Sequence, residues 1–112
     1  MHELALAVNI LEIATEEAQA AAAGVIRRIV VEVGQLAGVE NEALAFCFEL
    51  ARNDTPAAEA VLEIVTVDAR GRCSACDRVQ AVGLSVTGCD ECGGGLEIVE
   101  GRELRVRSID VD

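Results

Sequence analysis

The chain has 112 residues, of which 52% are hydrophobic, a formal net charge of -11, and two aromatic residues, Phe46 and Phe48. That length holds one real core plus a small appended module and leaves no room for a large active-site cleft. The acidic balance argues against a reader of phosphate backbones, which needs clustered Lys and Arg and often stacking aromatics. It favours cations or basic protein surfaces as partners, and no apolar run is long enough for a membrane span.

Residues 3 to 23 read as a helix, because Leu4, Val8, Leu11, Thr15, Ala18 and Ala22 keep the i, i+4, i+7 rhythm. Leu6, Ile10 and Ile13 widen the apolar face, so burial is expected around much of the circumference. The surplus apolar surface leaves monomer and homodimer both open. Gly24 is the expected stop. Residues 25 to 33 are rich in β-branched side chains and put Ile29, Val31 and Val33 on one face of a strand, with Arg28 and Glu32 on the other.

A loop from Gly34 leads to Asn41, an expected N-cap for a second helix running to about Arg52, with Leu44, Cys47, Phe48 and Ala51 on its apolar face. Asn53, Asp54 and Pro56 terminate it. Residues 60 to 67 form a second strand, and a strand-helix-strand succession favours a parallel pair joined by a right-handed crossover.

Cys73, Cys76, Cys89 and Cys92 then stand as C-x2-C, a twelve-residue interval, and C-x2-C. That spacing is the signature of a tetrathiolate zinc site. Each pair wraps a metal edge in a tight knuckle whose N-H groups point at the thiolates, and Gly93 suits the backbone such a knuckle needs. Disulfides require an oxidising compartment, whereas the amino terminus MHELALAV has no basic region and is no secretory signal, so a reduced, cytoplasmic chain is expected. An iron-tetrathiolate electron carrier uses similar spacing, but no aromatic residue stands near these cysteines to shield such a cluster. Four thiolates leave no open coordination position, so the zinc is expected to be structural. With Val79, Val82, Leu84 and Val86 as its only sizeable apolar residues, the module cannot offset chain entropy without the metal.

Gly93, Gly94 and Gly95 read as a hinge leaving the module. Residues 96 to 99 close the ribbon, Gly101 permits a turn, and residues 103 to 109 offer a strand that returns to the first sheet. The expected fold is α/β in the α+β sense: two helices on a small three-stranded mixed sheet with an inserted four-cysteine zinc-ribbon module. The domain limits are residues 1–70, completed by 101–112, and residues 71–100. Cys47 reads as a small buried hydrophobe. With one histidine, at position 2, the chain offers no Ser-His-Asp or Cys-His pairing, and it is not expected to be an enzyme. A zinc-ribbon adaptor that binds protein or nucleic acid is the alternative reading of the module.

His2 is the second feature that carries chemistry. The α-amine of Met1, the backbone nitrogen of His2 and its imidazole can close adjacent chelate rings around one ion. Such nitrogens favour square-planar or tetragonal Ni(II) or Cu(II), and Glu3 adds a further backbone nitrogen and a carboxylate. The large side chain of His2 also discourages removal of Met1. Beside this stands the ordinary reading, in which His2 is incidental and Glu3 complements the dipole of the first helical turn.

The stretches MHELALA, VEVGQLAGVENEALAFCFEL and GRELRVRSIDVD, together with the two C-x2-C pairs, resemble the HypA/HybF family of nickel metallochaperones for hydrogenase maturation. The resemblance spans nearly the whole chain in the right order. It implies a nickel-binding domain carrying a structural zinc module, with Met1, His2 and Glu3 supplying the nickel site and Glu40 at a loop position where some members place a further carboxylate. It also implies Ni(II) as cargo, an accessory maturation GTPase as partner, and the large subunit of a nickel-iron hydrogenase as destination. Two residues depart from the family pattern: Asp90 stands where proline is common inside the second C-x2-C, and Asp77 follows the first knuckle in place of glycine.

Overall fold

The computed structural model describes residues 2–83 and 88–112; Met1, Leu84 and Val86, each named above, lie outside the described residues. The element order is α1 (Glu3–Ala20), β1 (Ile26–Gly34), α2 (Asn41–Ala51), β2 (Val61–Val67), β3 (Arg70–Cys73), β4 (Val79–Ala81), β5 (Leu96–Glu100) and β6 (Leu104–Val111). They form two three-stranded sheets, ordered β2-β1-β6 and β4-β3-β5. The first is mixed, because β1 runs parallel to β2 with Val31 opposite Ile64 and antiparallel to β6 with Ile29 opposite Ile109.

Both helices cover one face of the mixed sheet. Ile29, Val31 and Val33 of β1 point into the core with Leu44 and Phe48 of α2, as their alternation predicts. The other face carries ion pairs, Arg28 with Glu63 at 3.1 Å and Arg105 with Glu32 at 2.6 Å. The Arg28 pair is half-exposed and contributes little stability, whereas the Glu32 carboxylate is largely covered. Both pairs keep the uncovered face polar.

The first helix differs from its expected packing. Its buried stripe is Ala7, Ile10, Leu11, Ala14 and Ala18, whereas Leu4, Val8 and Ile13 are exposed. Three alanines in that stripe let the helix axis approach the sheet closely, so the larger side chains sit on the flanks, where volume is available. Nor does Gly24 end the helix. Ala22 takes a left-handed φ of 54°, its N-H donates to Gln19 O at 3.0 Å, and the Ala23 N-H donates to Ala18 O at 2.8 Å. This double closure is a Schellman cap built without glycine.

α2 is capped by the extended backbone of Glu40 instead of by Asn41. Asn41 is the first helical residue, and its Nδ2 donates to Thr66 Oγ1 at 3.4 Å. Cys47 packs partly buried against the core, in keeping with a hydrophobic role.

The two chain crossings into the second sheet are stitched to the loop after β1. Leu36 N-H donates to Gly101 O at 2.6 Å, Gly34 N-H to Glu103 O at 2.7 Å, and Ala69 N-H to the Gln35 side-chain oxygen at 2.9 Å. Gly34 lies so close to this crossing that a Cβ there would stand 2.1 Å from the Gly101 oxygen. Gly101 itself has φ of 112° and is pressed against Ala69.

Candidate metal centres

The two C-x2-C turns fold into matching knuckles. In the first, Cys73 N-H donates to Arg78 O at 2.8 Å and Asp77 N-H to Cys73 O at 2.9 Å. In the second, Cys89 N-H donates to Gly94 O at 2.8 Å and Gly93 N-H to Cys89 O at 2.9 Å. The residue after each second cysteine takes a left-handed backbone, φ 65° at Asp77 and 74° at Gly93. Aspartate tolerates this conformation better than most side chains, which explains how the first knuckle keeps its shape without glycine.

All four sulfurs lie within 4.8 Å of one another, with Cys73 to Cys92 at 3.4 Å and Cys76 to Cys89 at 3.7 Å. A tetrahedral ion with Zn–S bonds of about 2.3 Å requires sulfurs about 3.8 Å apart. The quartet therefore fits zinc without rearrangement of the backbone. Cys73 and Cys89 are buried and Cys76 and Cys92 exposed, so one side of the cluster meets solvent.

The thiols do not share one acidity. Cys73 is lowered to about 6, first by the Cys76 N-H and then by the Ala75 N-H, both 3.4 Å from its sulfur. Although the Arg78 N-H pulls Cys76 down, its contacts with the other three thiols and its loss of solvent push it up to about 12. Cys92 is held down by the Gly94 N-H but raised on balance, with Cys73 the principal opposing group. One sulfur is thus prepared as a thiolate, and protons must leave others when a metal enters.

Three supports of the quartet escaped the sequence reading. Gln80, buried on β4, accepts the Asp90 N-H at 3.0 Å and so ties the second knuckle to the sheet. Arg78 reaches from the first knuckle to Asp90 at 3.0 Å and Glu91 at 3.2 Å in the second, giving the departing Asp90 an ionic partner. Gly94 serves close approach, not a hinge, since a Cβ there would stand 3.0 Å from the Cys73 sulfur. The polar interruption of a short strand at Gln80 was the one visible signal. The other two depend on contacts between distant residues.

At the other end of the molecule, His2 is the exposed N-cap of α1, and its carbonyl accepts the Leu6 N-H at 3.1 Å. Glu3 opens the helix, and its Oε2 accepts the Glu40 N-H at 3.3 Å. That bond is the main cause holding the Glu3 carboxyl below its ordinary range, followed by the residue's own N-H. The starts of α1 and α2 therefore meet through Glu3 and Glu40, although it is the Glu40 backbone nitrogen and not its carboxylate that makes the contact. Two helix N-termini also favour negative charge here. Glu3 is ionised at neutral pH beside an exposed imidazole.

Fold and site together define a small metal-handling protein of the α+β class, with a four-thiolate module on its own antiparallel sheet. A family model described as hydrogenase/urease nickel incorporation, metallochaperone, HypA matches residues 1–111. The hydrogenase maturation factors HypA of Rhodopseudomonas palustris strain BisA53 and Chlorobium phaeobacteroides strain BS1 are 39% and 38% identical, each over the full length of both chains. The solution structure of the Ni metallochaperone HypA from Helicobacter pylori superposes with a TM-score of 0.73 at 25% identity, covering 99% of this chain and 97% of that one. A second solution structure of a HypA protein gives a TM-score of 0.76, also at 25% identity, over 100% of this chain and 97% of the other. The chain belongs to the HypA family of nickel-incorporation metallochaperones.

Proposed function

We propose that this chain binds Ni(II) through Met1, His2 and Glu3 and delivers it during maturation of a nickel-iron hydrogenase, while Cys73, Cys76, Cys89 and Cys92 hold a structural zinc. The observation that carries the nickel assignment is the meeting of Glu3 and Glu40 at two helix starts directly behind an exposed His2. The zinc assignment rests on the sulfur separations and the matched knuckles. We further propose that residues 1–70 with 101–112 form the nickel domain and residues 71–100 the zinc domain, each built on one of the two sheets. A maturation GTPase and the hydrogenase large subunit are the partners, and the cytoplasm is the setting. Among the described residues no helix is long and apolar enough to cross a membrane.

The protein's part in this function is ligation and release without covalent chemistry. An amine, an amide and an imidazole at a chain terminus can leave the ion one at a time, so transfer proceeds by ligand exchange with the acceptor instead of full dissociation into water. The bond from Glu40 to Glu3 fixes the chain immediately behind these ligands and so sets where the cargo is presented. Glu40 is then a positioning residue through its backbone, with its carboxylate free to contact the ion. Copper stands above nickel in the affinity order for nitrogen sites, so selectivity comes from metal supply and docking.

Nickel titration of the zinc-loaded wild type, His2→Ala, and a variant extended by two residues ahead of Met1 tests the assignment. Both variants should lose most of the affinity. Undiminished binding in both would place the nickel site elsewhere.

A further inference from the structure

The two helices carry six carboxylates, Glu3, Glu12, Glu16, Glu17, Glu42 and Glu49, and no arginine or lysine. Arg52, just past α2, turns away and donates to the Ala60 carbonyl at 2.7 Å on the β2 side. Between α1 and α2 runs an open groove of about 350 Å³ whose walls include Val8, Leu11, Thr15 and Ala51, with Glu12 and Glu16 at its rim. Val8, on its wall, is 40% exposed, and elsewhere on the same two helices further large apolar side chains are left in water: Leu4 of α1, one turn before Val8, is 54% exposed, and Phe46 and Leu50 of α2, one turn apart, are 63% and 56% exposed. The core draws instead on Leu44 and Phe48, and the fold leaves most of Phe46 and Leu50 uncovered.

We propose that this groove docks an amphipathic helix with basic flanks, supplied by a different protein. The apolar wall of Val8 and Leu11, with exposed apolar residues one turn apart on both helices, suits the i, i+3, i+4, i+7 anchors of a helix laid in a groove. An exposed aromatic is the kind of residue that dominates such contacts. The charge selects the partner. A second copy of this chain packing symmetrically would bring the same acidic helices face to face, and like charges across an interface oppose association. A helix flanked by Lys or Arg meets the rim with complementary charge. Because Leu4 directly follows Glu3, the docked helix would lie beside the amino-terminal nickel ligands. That consequence rests on the proposed nickel site; the docking itself does not.

The test uses the zinc-loaded, nickel-free full chain and a fluorescent synthetic Leu–Lys amphipathic helix of about 18 residues, five helical turns. A scrambled peptide of equal composition is the control. The amphipathic peptide should bind and shift the amide resonances of α1 and α2. The double variant Phe46→Ser, Leu50→Ser should lose about tenfold or more in affinity, while its thermal melting stays unchanged. His2→Ala should bind the peptide normally whatever its nickel titration shows, which separates this proposal from the metal assignment. Equal binding of the scrambled peptide, unchanged affinity in the double variant, or a wild-type dimer that Phe46→Ser converts to monomer would each overturn the proposal.

Discussion

Replacing Gly34 by alanine tests whether the close crossing between the two sheets is real. The new methyl carbon would stand 2.1 Å from the Gly101 oxygen, 2.2 Å from its carbonyl carbon and 2.6 Å from the Arg102 nitrogen. These are backbone atoms, so no side-chain rotation relieves the clash, and the strands must part by more than an ångström. Parting them stretches the bonds from Leu36 N-H to Gly101 O and from Gly34 N-H to Glu103 O. Each is worth about 1 kcal/mol, and overpacking adds about 1 to 3 kcal/mol. A loss of about 3 to 5 kcal/mol follows, a large share of the roughly 5 to 15 kcal/mol that stabilises a small domain. Gly24→Ala is the matched control, because nothing lies within 4 Å of its added carbon. It should be neutral or stabilising by about 0.4 to 1 kcal/mol through the unfolded chain. Denaturant unfolding of both zinc-loaded variants, followed by circular dichroism, measures the difference. A Gly34→Ala loss below about 1 kcal/mol would refute the close approach, since no overpacked crossing is that forgiving.

Ala22→Gly should raise stability by about 0.5 to 1 kcal/mol, because it removes left-handed strain at φ 54° while adding some unfolded-state entropy; a fall in the melting midpoint would contradict the Schellman geometry. Zinc affinity should climb with pH. Cys76 at about 12 and the raised Cys92 are protonated near neutrality and must give up two protons to the solvent, so affinity should rise at least about a hundredfold per unit between about pH 7 and 8. Below about 6 the Cys73 thiol also protonates and the dependence steepens, and a chelator-competition series that is flat with pH would contradict this. Nickel binding should likewise weaken on acidification, because the amine and imidazole ligate only when deprotonated, and titrations at two pH values with equal affinity would count against those ligands.

Local chemistry was legible in the residues. The alternation of Ile29, Val31 and Val33 is enough to assign a strand and its buried face, and paired C-x2-C motifs bring their own sulfurs together because each knuckle closes through bonds only four or five residues long. The chelating potential of Met1 and His2 lies in adjacent atoms and needs no tertiary structure to be recognised. The resemblance then supplied Glu40, which spacing could not have singled out.

Tertiary structure decided what depends on distance in the chain. Periodicity marked a wide apolar surface on the first helix, but only the approach to the sheet selected the alanine stripe and left Leu4 and Val8 in water, because steric fit depends on the volume of the facing side chains. The bond from Glu40 to Glu3 joins residues 37 apart, and Gln80, Arg78 and Gly94 support the quartet across the gap between knuckles. Sequence by itself marked the candidate ligands and the elements that carry them. How the ligands are held, and which apolar face remains for a partner, follows from packing between segments, where the geometry of both sides must be known at once.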